Sequence, residues 1–478
     1  MNLKKLNLIF FLVICLFGYG QNKQLLYDFT EIPQSLLVNP GAKMSYQWFG
    51  GVPLVSGTSL YAGASGIAVG DIFATDGVDI NVKFRDRVVY GLSERDEFSG
   101  AFQLNILNGG FRGKNKPENF YTFGLYVEGD IIYYWPKDLA ILGYEGNADF
   151  LGYKFDISHL KGRGEVQSVY HFGINKKINN RLTFGIRFKL YSSFVNFESL
   201  RNKGYFVTEQ GQNNLISSTL SIDSKYKVSG VNRVKKAFEG DNENVSSLIS
   251  PFLLSGNLGL GVDLGFTYSL NKRTVVTGSV IDLGFTYHSE DVESYELKGT
   301  STFEGVQVIL PDALISPNDD FWQDLIDDIE IRIPFRTVTK SYISFKQTKV
   351  NASIRHNFGK EIPKIDECKC DYSVAASPYD TSYTNSIGGQ LYVINRPRGP
   401  QMAFTGFYQR KLGNILAAKA TYTLDKFSYT NVGLGMSINA GPVNIYAMAD
   451  NVLSYQNLAN SHYASFQFGI NIISWGKK

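Results

Sequence analysis

A strict alternation of apolar and polar residues is the feature that most limits what this chain can fold into. From Leu258 to Leu270, every even position holds Leu, Val, Phe or Tyr, and every odd position holds Gly, Asp, Thr or Ser. Side chains of a β-strand point alternately to its two faces, so one face of this strand is wholly apolar. The same alternation recurs at 182–190, 432–438 and 464–472. We therefore predict an all-β protein.

Two kinds of fold carry such strands: a secreted β-sandwich, whose polar face lies in water, and a transmembrane barrel, whose apolar face lies in lipid. Several alternating stretches run about ten residues or more, against ~5–6 for a strand in a globular protein. Gly is frequent on the polar face, which suits a crowded lumen, and the strand ends carry aromatic residues as barrel girdles do (Tyr268, Tyr287 and Trp475). These features favour a closed antiparallel membrane barrel, which leaves no backbone group unpaired in lipid.

The alternation also predicts how many strands the barrel has. Counting back from the C-terminus gives strands near 462–474, 442–450, 427–438, 415–424, 400–410, 384–395, 341–357, 273–287, 258–270, 181–194, 166–177, 119–128 and 99–107. One more strand must precede these, at either 58–68 or 78–90. The prediction is therefore about 14 strands, an even number typical of bacterial single-chain barrels, or 16 if both early segments pair.

The lengths of the connections predict the topology. With the C-terminus placed in the periplasm, the short turns 179–180, 271–272, 413–414 and 440–441 all fall on the periplasmic side. The three longest gaps, 129–165, 195–257 and 288–340, all fall outside, as expected for barrels of this kind. One long segment, 358–383, is an exception, because it falls on the periplasmic side.

The N-terminus has the pattern of a secretory signal peptide. Lys4 and Lys5 precede an apolar run, and Gly18 and Gly20 suit a cleavage site before Gln21. An anchor helix is the alternative, but the run is short for a membrane span. We predict a signal peptide at 1–20, an N-terminal periplasmic or lumenal segment at 21–57, and the outer-membrane barrel at 58–478.

Two turns allow predictions of strand register. A two-residue turn at Asn271-Lys272 places Asp263 opposite Val280 and points Asp282 inward. At the turn near Asn179, the apolar residues of both flanking strands have even numbers. Directly paired residues point to the same face, so the numbers of each pair must add up to an even value, which a two-residue turn cannot give. A three-residue loop at 178–180 restores the agreement and places His171 opposite Arg187.

Five polar side chains are candidates for the barrel lumen: His171, Arg187, Lys189, Asp263 and Asp282. Rings of charge tune the selectivity of pores. The same charges can also neutralise one another and fill a closed lumen, and the sequence leaves both interpretations open.

The long connections hold further candidates. Residues 136–144 and 316–330 are predicted to be short helices, and the acidic face of the second could bind Ca²⁺, although a solvated helix face is the better interpretation. Cys368 and Cys370, in the long periplasmic segment, could bind a soft metal, pair with a partner protein, or form a local disulfide.

Other classes of function find little support in the sequence. The five His residues lack metal-binding spacing, and no nucleophile, zinc-protease or phosphate-loop motif occurs. Removing Lys4 and Lys5 lowers the net charge from +3 to +1, so no basic excess is available for nucleic acid. We expect no enzymatic activity, no catalytic residues, no cofactor and no bound metal.

Three segments carry a resemblance to a known family. QLLYDFTEIPQSLLVNPGA (24–42), the hairpin GVDLGFTYSLNKRTVVTGSVIDLGF (261–285) and the ending GPVNIYAMADNVL…FQFGINII resemble an uncharacterised family of Bacteroidota outer-membrane proteins. That family is similar to the fourteen-stranded fatty-acid-transporter-like barrels and, more distantly, to accessory barrels of type IX secretion. The resemblance implies a bacterial outer-membrane location. The chain departs from a fatty-acid transporter because it has no plug domain longer than 21–57.

Two functions follow as hypotheses. The preferred one is a non-enzymatic structural, interaction or secretion-accessory barrel, in contact with outer-membrane lipid and with a periplasmic or secretion-system protein. The alternative is a passive channel or transporter for a small, possibly hydrophobic solute. The long loops favour the first hypothesis.

Overall fold

The computed structural model describes residues 23–211, 216–238, 253–304, 333–362, 381–427 and 431–474. This part of the chain contains twenty β-strands. They are β1 Trp48–Gly51, β2 Thr58–Ala64, β3 Glu97–Arg112, β4 Asn119–Tyr134, β5 Lys154–Asp156, β6 Gly162–Lys177, β7 Leu182–Gln210, β8 Ile216–Ser229, β9 Leu258–Ser269, β10 Thr274–His288, β11 Val292–Glu304, β12 Phe335–Val338, β13 Tyr342–Phe345, β14 Lys349–Ile362, β15 Ser382–Arg396, β16 Gly399–Leu412, β17 Leu416–Leu424, β18 Asn431–Ala440, β19 Val443–Asp450 and β20 Tyr463–Ser474.

The helical elements are short. They are the α-helices Ser35–Val38, Val69–Phe73, Ile80–Lys83, Lys137–Glu145 and Val231–Phe238, the π-helix Phe84–Val89 and the 3₁₀-helix Val452–Asn460. The helix at Lys137–Glu145 agrees with the prediction at 136–144. No helix in the described part of the chain is long and apolar enough to cross a membrane.

The sheet closes into an antiparallel barrel of fourteen strands, which confirms the predicted fold class. β1 and β2 together form its first strand and pair with both β3 and β20. From there the order is β3, β4, β6, β7, β9, β10, β13 with β14, and then β15 to β20. Because β20 pairs with β19 on its other side, no edge of the barrel stays open.

The first strand is the earlier of the two predicted candidates, and residues 78–90 are helical instead. Asp79 explains the difference, because its carboxylate accepts a hydrogen bond from the backbone N–H of Asn81 at 2.8 Å and caps the helix that begins at Ile80. A second early strand does not form, so the count of sixteen is wrong.

The alternation has the predicted orientation. Leu260 and Phe266 point outward and are 60% and 38% exposed, whereas Asp263 between them is fully buried. All eight apolar residues expected to face outward are exposed or half-buried: Phe184, Ile186, Leu260, Val262, Leu264, Phe266, Phe468 and Ile470. A protein with a soluble core would bury these side chains, so the outer face is the apolar surface of a transmembrane barrel.

The two ends of the barrel differ as predicted. One end, here called the turn end, carries the short connections near 179, 271, 413 and 441. The flanks of segment 358–383 lie at this end too, since Glu361 pairs with Tyr383 and His356 with Thr274. The connections after β7 and β10 lie at the opposite end, here called the loop end. Cys368, Cys370 and the predicted helix 316–330 lie outside the described residues.

The loop end holds more structure than predicted. β7 runs on to Gln210, and β5, β7, β8, β11 and β12 form an extension of the sheet beyond the barrel, here called the outer sheet. It has its own apolar core, formed by Val89, Ile141, Leu142, Phe155, Ile157, Phe206, Leu220, Phe303 and Ile333. The description of 195–257 and 288–340 as loops is therefore wrong for much of their length. The strand β8 (ISSTLSIDSKYKVS) gives the reason, because polar residues on both of its faces hide the alternation.

The predicted register of the β9–β10 hairpin needs a correction. The turn has three residues rather than two, because the Asn271 side chain accepts hydrogen bonds from the N–H groups of Arg273 and Thr274, both at 2.8 Å. Val280 therefore pairs with Leu264 and not with Asp263. A bulge between Val280 and Leu283 shifts the pairing by one residue, and Asp282 in it has φ +63°. This bulge lets Asp282 face inward as predicted.

The predicted register of the β6–β7 connection needs a correction as well. Its loop has three residues, as predicted, but it spans 179–181, since Ile178 N–H donates to Leu182 C=O at 2.9 Å. The Asn179 side chain accepts from Arg181 and Leu182, both at 2.8 Å, as Asn271 does in its own turn. The pairing therefore differs from the predicted one by two residues: His171 lies opposite Lys189, and Arg187 lies opposite Gly173.

Candidate functional site: a plugged lumen with a charged cavity

The segment from residue 23 to residue 46 lies inside the barrel and is here called the plug. Its polar atoms bond to strands all around the wall. These contacts include Arg112 to Met44 C=O (2.9 Å), Asn175 to Pro40 C=O (2.7 Å), Ser279 to Val38 C=O (2.7 Å), Lys419 to Tyr27 C=O (2.6 Å) and Gln34 to Asn471 (2.7 Å). Lys43 donates to Ser269 at 3.1 Å, beside the 271–273 turn, so the end of the plug lies at the turn end.

Glycines in the wall make room for the plug. Gly185 on β7 and Gly265 on β9 pair with each other and face inward. A Cβ at Gly185 would lie 2.0 Å from Pro40 O, and one at Gly265 would lie 2.2 Å from Asn39 Oδ1. The plug backbone therefore packs directly against the wall backbone, which only glycine permits at this distance. Gly185 and Gly265 are here called the glycine seat.

Arg187 joins the plug to the wall. Its Nε donates to Asp263 Oδ2 at 2.7 Å, and its two terminal nitrogens donate to the plug carbonyls of Leu36 and Leu37 at 2.7 and 2.6 Å. Only 2% of its side chain is exposed. A buried guanidinium needs acceptors for its donors, and three of them come from one wall carboxylate and two plug carbonyls.

Two acidic residues hold the plug on the other side of the lumen. Asp28 accepts from Arg355 at 3.0 Å and from Ser353 at 3.1 Å. Glu31 accepts from Gln409 at 2.7 Å and forms an ion pair with Lys411. Charged contacts thus hold the plug from opposite sides, and the lumen is filled by the plug toward the turn end.

A cavity of about 120 Å³ remains in the lumen on the loop-end side of the plug. The plug contributes Lys23, Leu37 and Val38 to its floor, and strand residues form its walls. Its charged lining residues are the cations Lys23, Arg163, Lys189, Lys346, Lys349 and Arg396 and the anions Glu128, Asp130, Glu165 and Asp282. The cavity therefore carries many charges, which lie among apolar and aromatic lining residues such as Tyr126 and Ile281.

The floor of the cavity rests on a buried ion cluster. Lys189 contacts Asp282 at 2.5 Å and Asp263 at 2.9 Å, and Lys349 contacts Asp282 at 2.8 Å. The backbone N–H of Asp282 donates to Asp263 Oδ1 at 2.7 Å. The bulge on β10 makes this arrangement possible, because it turns the Asp282 carboxylate toward both lysines.

The part of the cavity wall that lies away from the plug has ion pairs of its own. Lys346 contacts Glu165 at 2.6 Å, and Arg396 contacts Asp130 at 2.7 Å. Arg163 donates to the carbonyl of Phe345 at 2.6 Å. These contacts hold cationic and anionic side chains in fixed positions around the cavity, so a solute inside it meets these charges beside apolar side chains such as Phe102 and Ile394.

The five lumen candidates fall into two groups. Arg187, Lys189, Asp263 and Asp282 come together in the ion cluster. His171 is buried on the inner wall, with its ring 5.8 Å from that of Tyr126, but it does not line the cavity. The predicted pairing of His171 with Arg187 is wrong, because the loop before β7 is displaced by one residue.

Of the ten charged lining residues, the sequence predicted only Lys189 and Asp282. Lys23 belongs to the plug, and nothing in the sequence shows that this segment returns to the centre of the lumen. Lys349 lies within the predicted strand 341–357, and Arg396 directly follows the predicted strand 384–395. The inward parity of those strands is the signal that could have found both. Among the described residues, no group of three or more His, Cys, Asp or Glu is arranged to hold a metal ion.

Together these features define the class of protein: a transmembrane β-barrel with an N-terminal plug and a charged cavity in its lumen. The chain belongs to a family described as "Family of unknown function (DUF5723)", which matches residues 40–450. No curated protein matches the chain.

Solved structures give distant similarities. The chain is similar to the P. putida toluene transporter TodX, with 10% identity over 96% of this chain and 97% of that one and a TM-score of 0.36. It is also similar to a Pseudomonas aeruginosa FadL homologue, with 10% identity over 96% and 97% and a TM-score of 0.39. The translocator domain of autotransporter NalP from Neisseria meningitidis has 7% identity over 90% and 89% and a TM-score of 0.29. At these values the similarities assign no function to this chain.

Proposed function

We propose that this protein is a bacterial outer-membrane transport barrel that passes a small polar solute through its lumen, with the plug as the gate. The observation that carries the proposal is the charged cavity enclosed between the plug and the barrel wall. The apolar outer face and the signal-like N-terminus support the outer-membrane location. The proposal revises the order of the two hypotheses from sequence, since it adopts the transport hypothesis and changes its solute from hydrophobic to polar.

The polarity of the solute follows from the lining. Ten charged side chains surround the cavity. An apolar solute would strip water from these groups without replacing their hydrogen bonds, which costs free energy. A polar or charged solute can offer the lost hydrogen bonds itself. The lining therefore favours a solute with several polar groups.

The gating role follows from the way the plug is held. The plug is bound to the wall by hydrogen bonds and ion pairs and by two buried apolar clusters, in which plug residues such as Phe29 and Tyr46 pack against wall residues such as Met448 and Phe120. The polar contacts can exchange for water or for a solute at a modest net cost, because each hydrogen bond contributes only ~0.5–1.5 kcal/mol in net terms. A shift of the plug away from the wall would open a path along the lumen.

Solute flux into liposomes tests the proposal. Gly185→Ala places a Cβ 2.0 Å from Pro40 O, and its three nearest atoms all belong to the plug, so the substitution displaces the plug without touching the wall. We expect swelling of proteoliposomes in small polar solutes to be slow for the natural chain and several-fold faster for Gly185→Ala. Gly389→Ala is the matched control, since an added Cβ there meets nothing within 4 Å.

One outcome would contradict the proposal. If Gly185→Ala assembles as a folded barrel and swelling stays at the level of empty liposomes for all three proteins, the lumen carries no solute.

A second candidate function is the interaction barrel predicted from the long loops. The observation in its favour is the outer sheet, which has an apolar core of its own and extends beyond the barrel wall. A binding partner would then be expected to dock on that sheet. Replacing exposed residues of its edge strand β12, such as Arg336 and Val338, should abolish recovery of a cross-linked partner from intact cells. No change in the cross-linked species would remove support for this candidate.

A further inference from the structure

The floor of the cavity brings together three lysines from three different parts of the chain. Lys23 belongs to the plug, Lys189 to β7 and Lys349 to β14, and all three line the same cavity. Lys189 and Lys349 contact the same carboxylate, Asp282, at 2.5 and 2.8 Å. Lys23 lies within electrostatic range of both of them. Three ammonium groups that line one small cavity repel one another, so their charge must be balanced by anionic groups.

The carboxylates of the protein do not fully supply that counterpart. Asp282 serves two lysines, and Asp263 serves Arg187 as well as Lys189. The Lys23 ammonium donates to Gln103, a neutral amide, and has no carboxylate within 4 Å among the described residues. Glu128, also in the lining, accepts from Gln167 at 2.9 Å. The floor thus holds four cations against three carboxylates, an excess of positive charge in a buried place.

The three lysines also have N–H donors that the contacts described above do not use. Each ammonium carries three N–H donors. The contacts above use two donors of Lys189, one of Lys349 and one of Lys23. The remaining donors line a cavity of about 120 Å³, which is large enough for several water molecules or one compact solute.

We propose that the floor of this cavity is a binding site for a compact anion, a phosphate or a short dicarboxylate, held by Lys23, Lys189 and Lys349. The inference rests on the proposed transport function and names its solute class. A carboxylate or phosphate oxygen placed among three ammonium groups forms charge-assisted hydrogen bonds, which are about twice as strong as neutral ones. The small volume excludes a long alkyl chain. Because Lys23 is part of the plug, a bound anion bridges the plug and the wall.

Calorimetry on the full chain in detergent tests this site without any need for transport. Inorganic phosphate and malonate are the probes, and they separate the two sources of the same anionic chemistry; octanoate tests the alkyl alternative. We expect saturable binding of phosphate, malonate or both. Octanoate binding as tightly as malonate would overturn the compact-anion assignment, and so would an absence of binding by both compact anions.

Two variants assign the binding to the lysines. Lys349→Gln and Lys23→Gln should each weaken binding about 10-fold or more, the expected loss for one charge-assisted hydrogen bond. Lys23→Gln changes only the plug, so it keeps the test valid if Lys349→Gln fails to fold, which the heat-shifted migration of intact barrels on gels would reveal. Lys272→Gln, in the exposed 271–273 turn, is the control and should bind as the natural chain does. Unchanged binding by Lys23→Gln and by a folded Lys349→Gln would overturn the proposal.

The inference and the proposed function can fail separately. Anion binding without any solute flux would leave the site in place and contradict transport. Solute flux without anion binding, or with a reversal potential in a KCl gradient that reports cation selectivity, would support transport and overturn the anion site.

Discussion

Arg187 shows how a single side chain links the wall, the plug and the cavity. It lies on the inward face of β7, opposite Asp263 on β9, and reaches two carbonyls of the plug. Its parity was predictable from the alternation of Phe184, Ile186 and Phe188, which face outward. Its plug contacts were not, because no periodicity in residues 23–46 shows where that segment lies.

Replacing Arg187 tests this link at the residue scale. Arg187→Gln removes the guanidinium from the two plug carbonyls and leaves Asp263 with Lys189 as its cation and with the backbone N–H of Asp282. Breaking a buried ion pair from one side typically costs about 3–5 kcal/mol. We expect a loss of that order in the free energy of unfolding, measured by urea titration of the folded barrel in lipid vesicles. Lys272→Gln serves as the control and should unfold at the natural midpoint. An Arg187→Gln barrel that unfolds at the same urea concentration as the natural chain would contradict the structural role assigned to Arg187.

The contacts of Asp28 allow a milder test of the plug. Asp28→Asn keeps the shape of the side chain but removes the charge that faces Arg355 at 3.0 Å. The uncompensated guanidinium should weaken the hold on the plug, so we expect faster cleavage of the plug by a protease added at the turn end. Asp149→Asn, at an exposed position before β5, is the control. Equal cleavage rates for both variants would show that the Asp28 pair does not hold the plug.

At the scale of elements, the barrel strands were largely predictable and the outer sheet was not. Lipid requires an apolar outer face, so β9 and β20 carry an unbroken alternation whose bounds agree with the structure within a residue or two. The strands of the outer sheet lie outside this constraint, and their apolar residues face a small local core. The registers of the β6–β7 and β9–β10 hairpins differ from the predicted ones. In each turn, hydrogen bonds to an Asn side chain set the loop length, and the alternation of the strands carries no information about these bonds.

The outer sheet should be separable from the barrel in stability. Phe155 is fully buried in its apolar core, and Phe→Ala substitutions in such cores cost about 3–5 kcal/mol. We expect Phe155→Ala to make the outer sheet sensitive to protease while the barrel keeps its folded migration on gels. Val338→Ala, at an exposed position of β12, should leave the protease pattern unchanged. Loss of the folded barrel in Phe155→Ala would show that the two parts fold as one unit.

At the scale of the whole molecule, the plug divides the lumen into a filled part at the turn end and a charged cavity toward the loop end. The glycine seat accounts for two of the inward-facing glycines of the wall, whose partner in the plug is not visible in the sequence. The closed strand order makes the lumen the interior that runs through the barrel. Whether a solute crosses the barrel therefore depends on the position of the plug.

Single-channel recording across a planar lipid bilayer tests this central claim most directly, on the natural chain, Gly185→Ala and Gly389→Ala. The account predicts rare, brief openings for the natural chain and for Gly389→Ala, and a clearly higher open probability for Gly185→Ala, because only that substitution places a Cβ against the plug. Folded, inserted Gly185→Ala barrels that stay as silent as the natural chain would contradict the account.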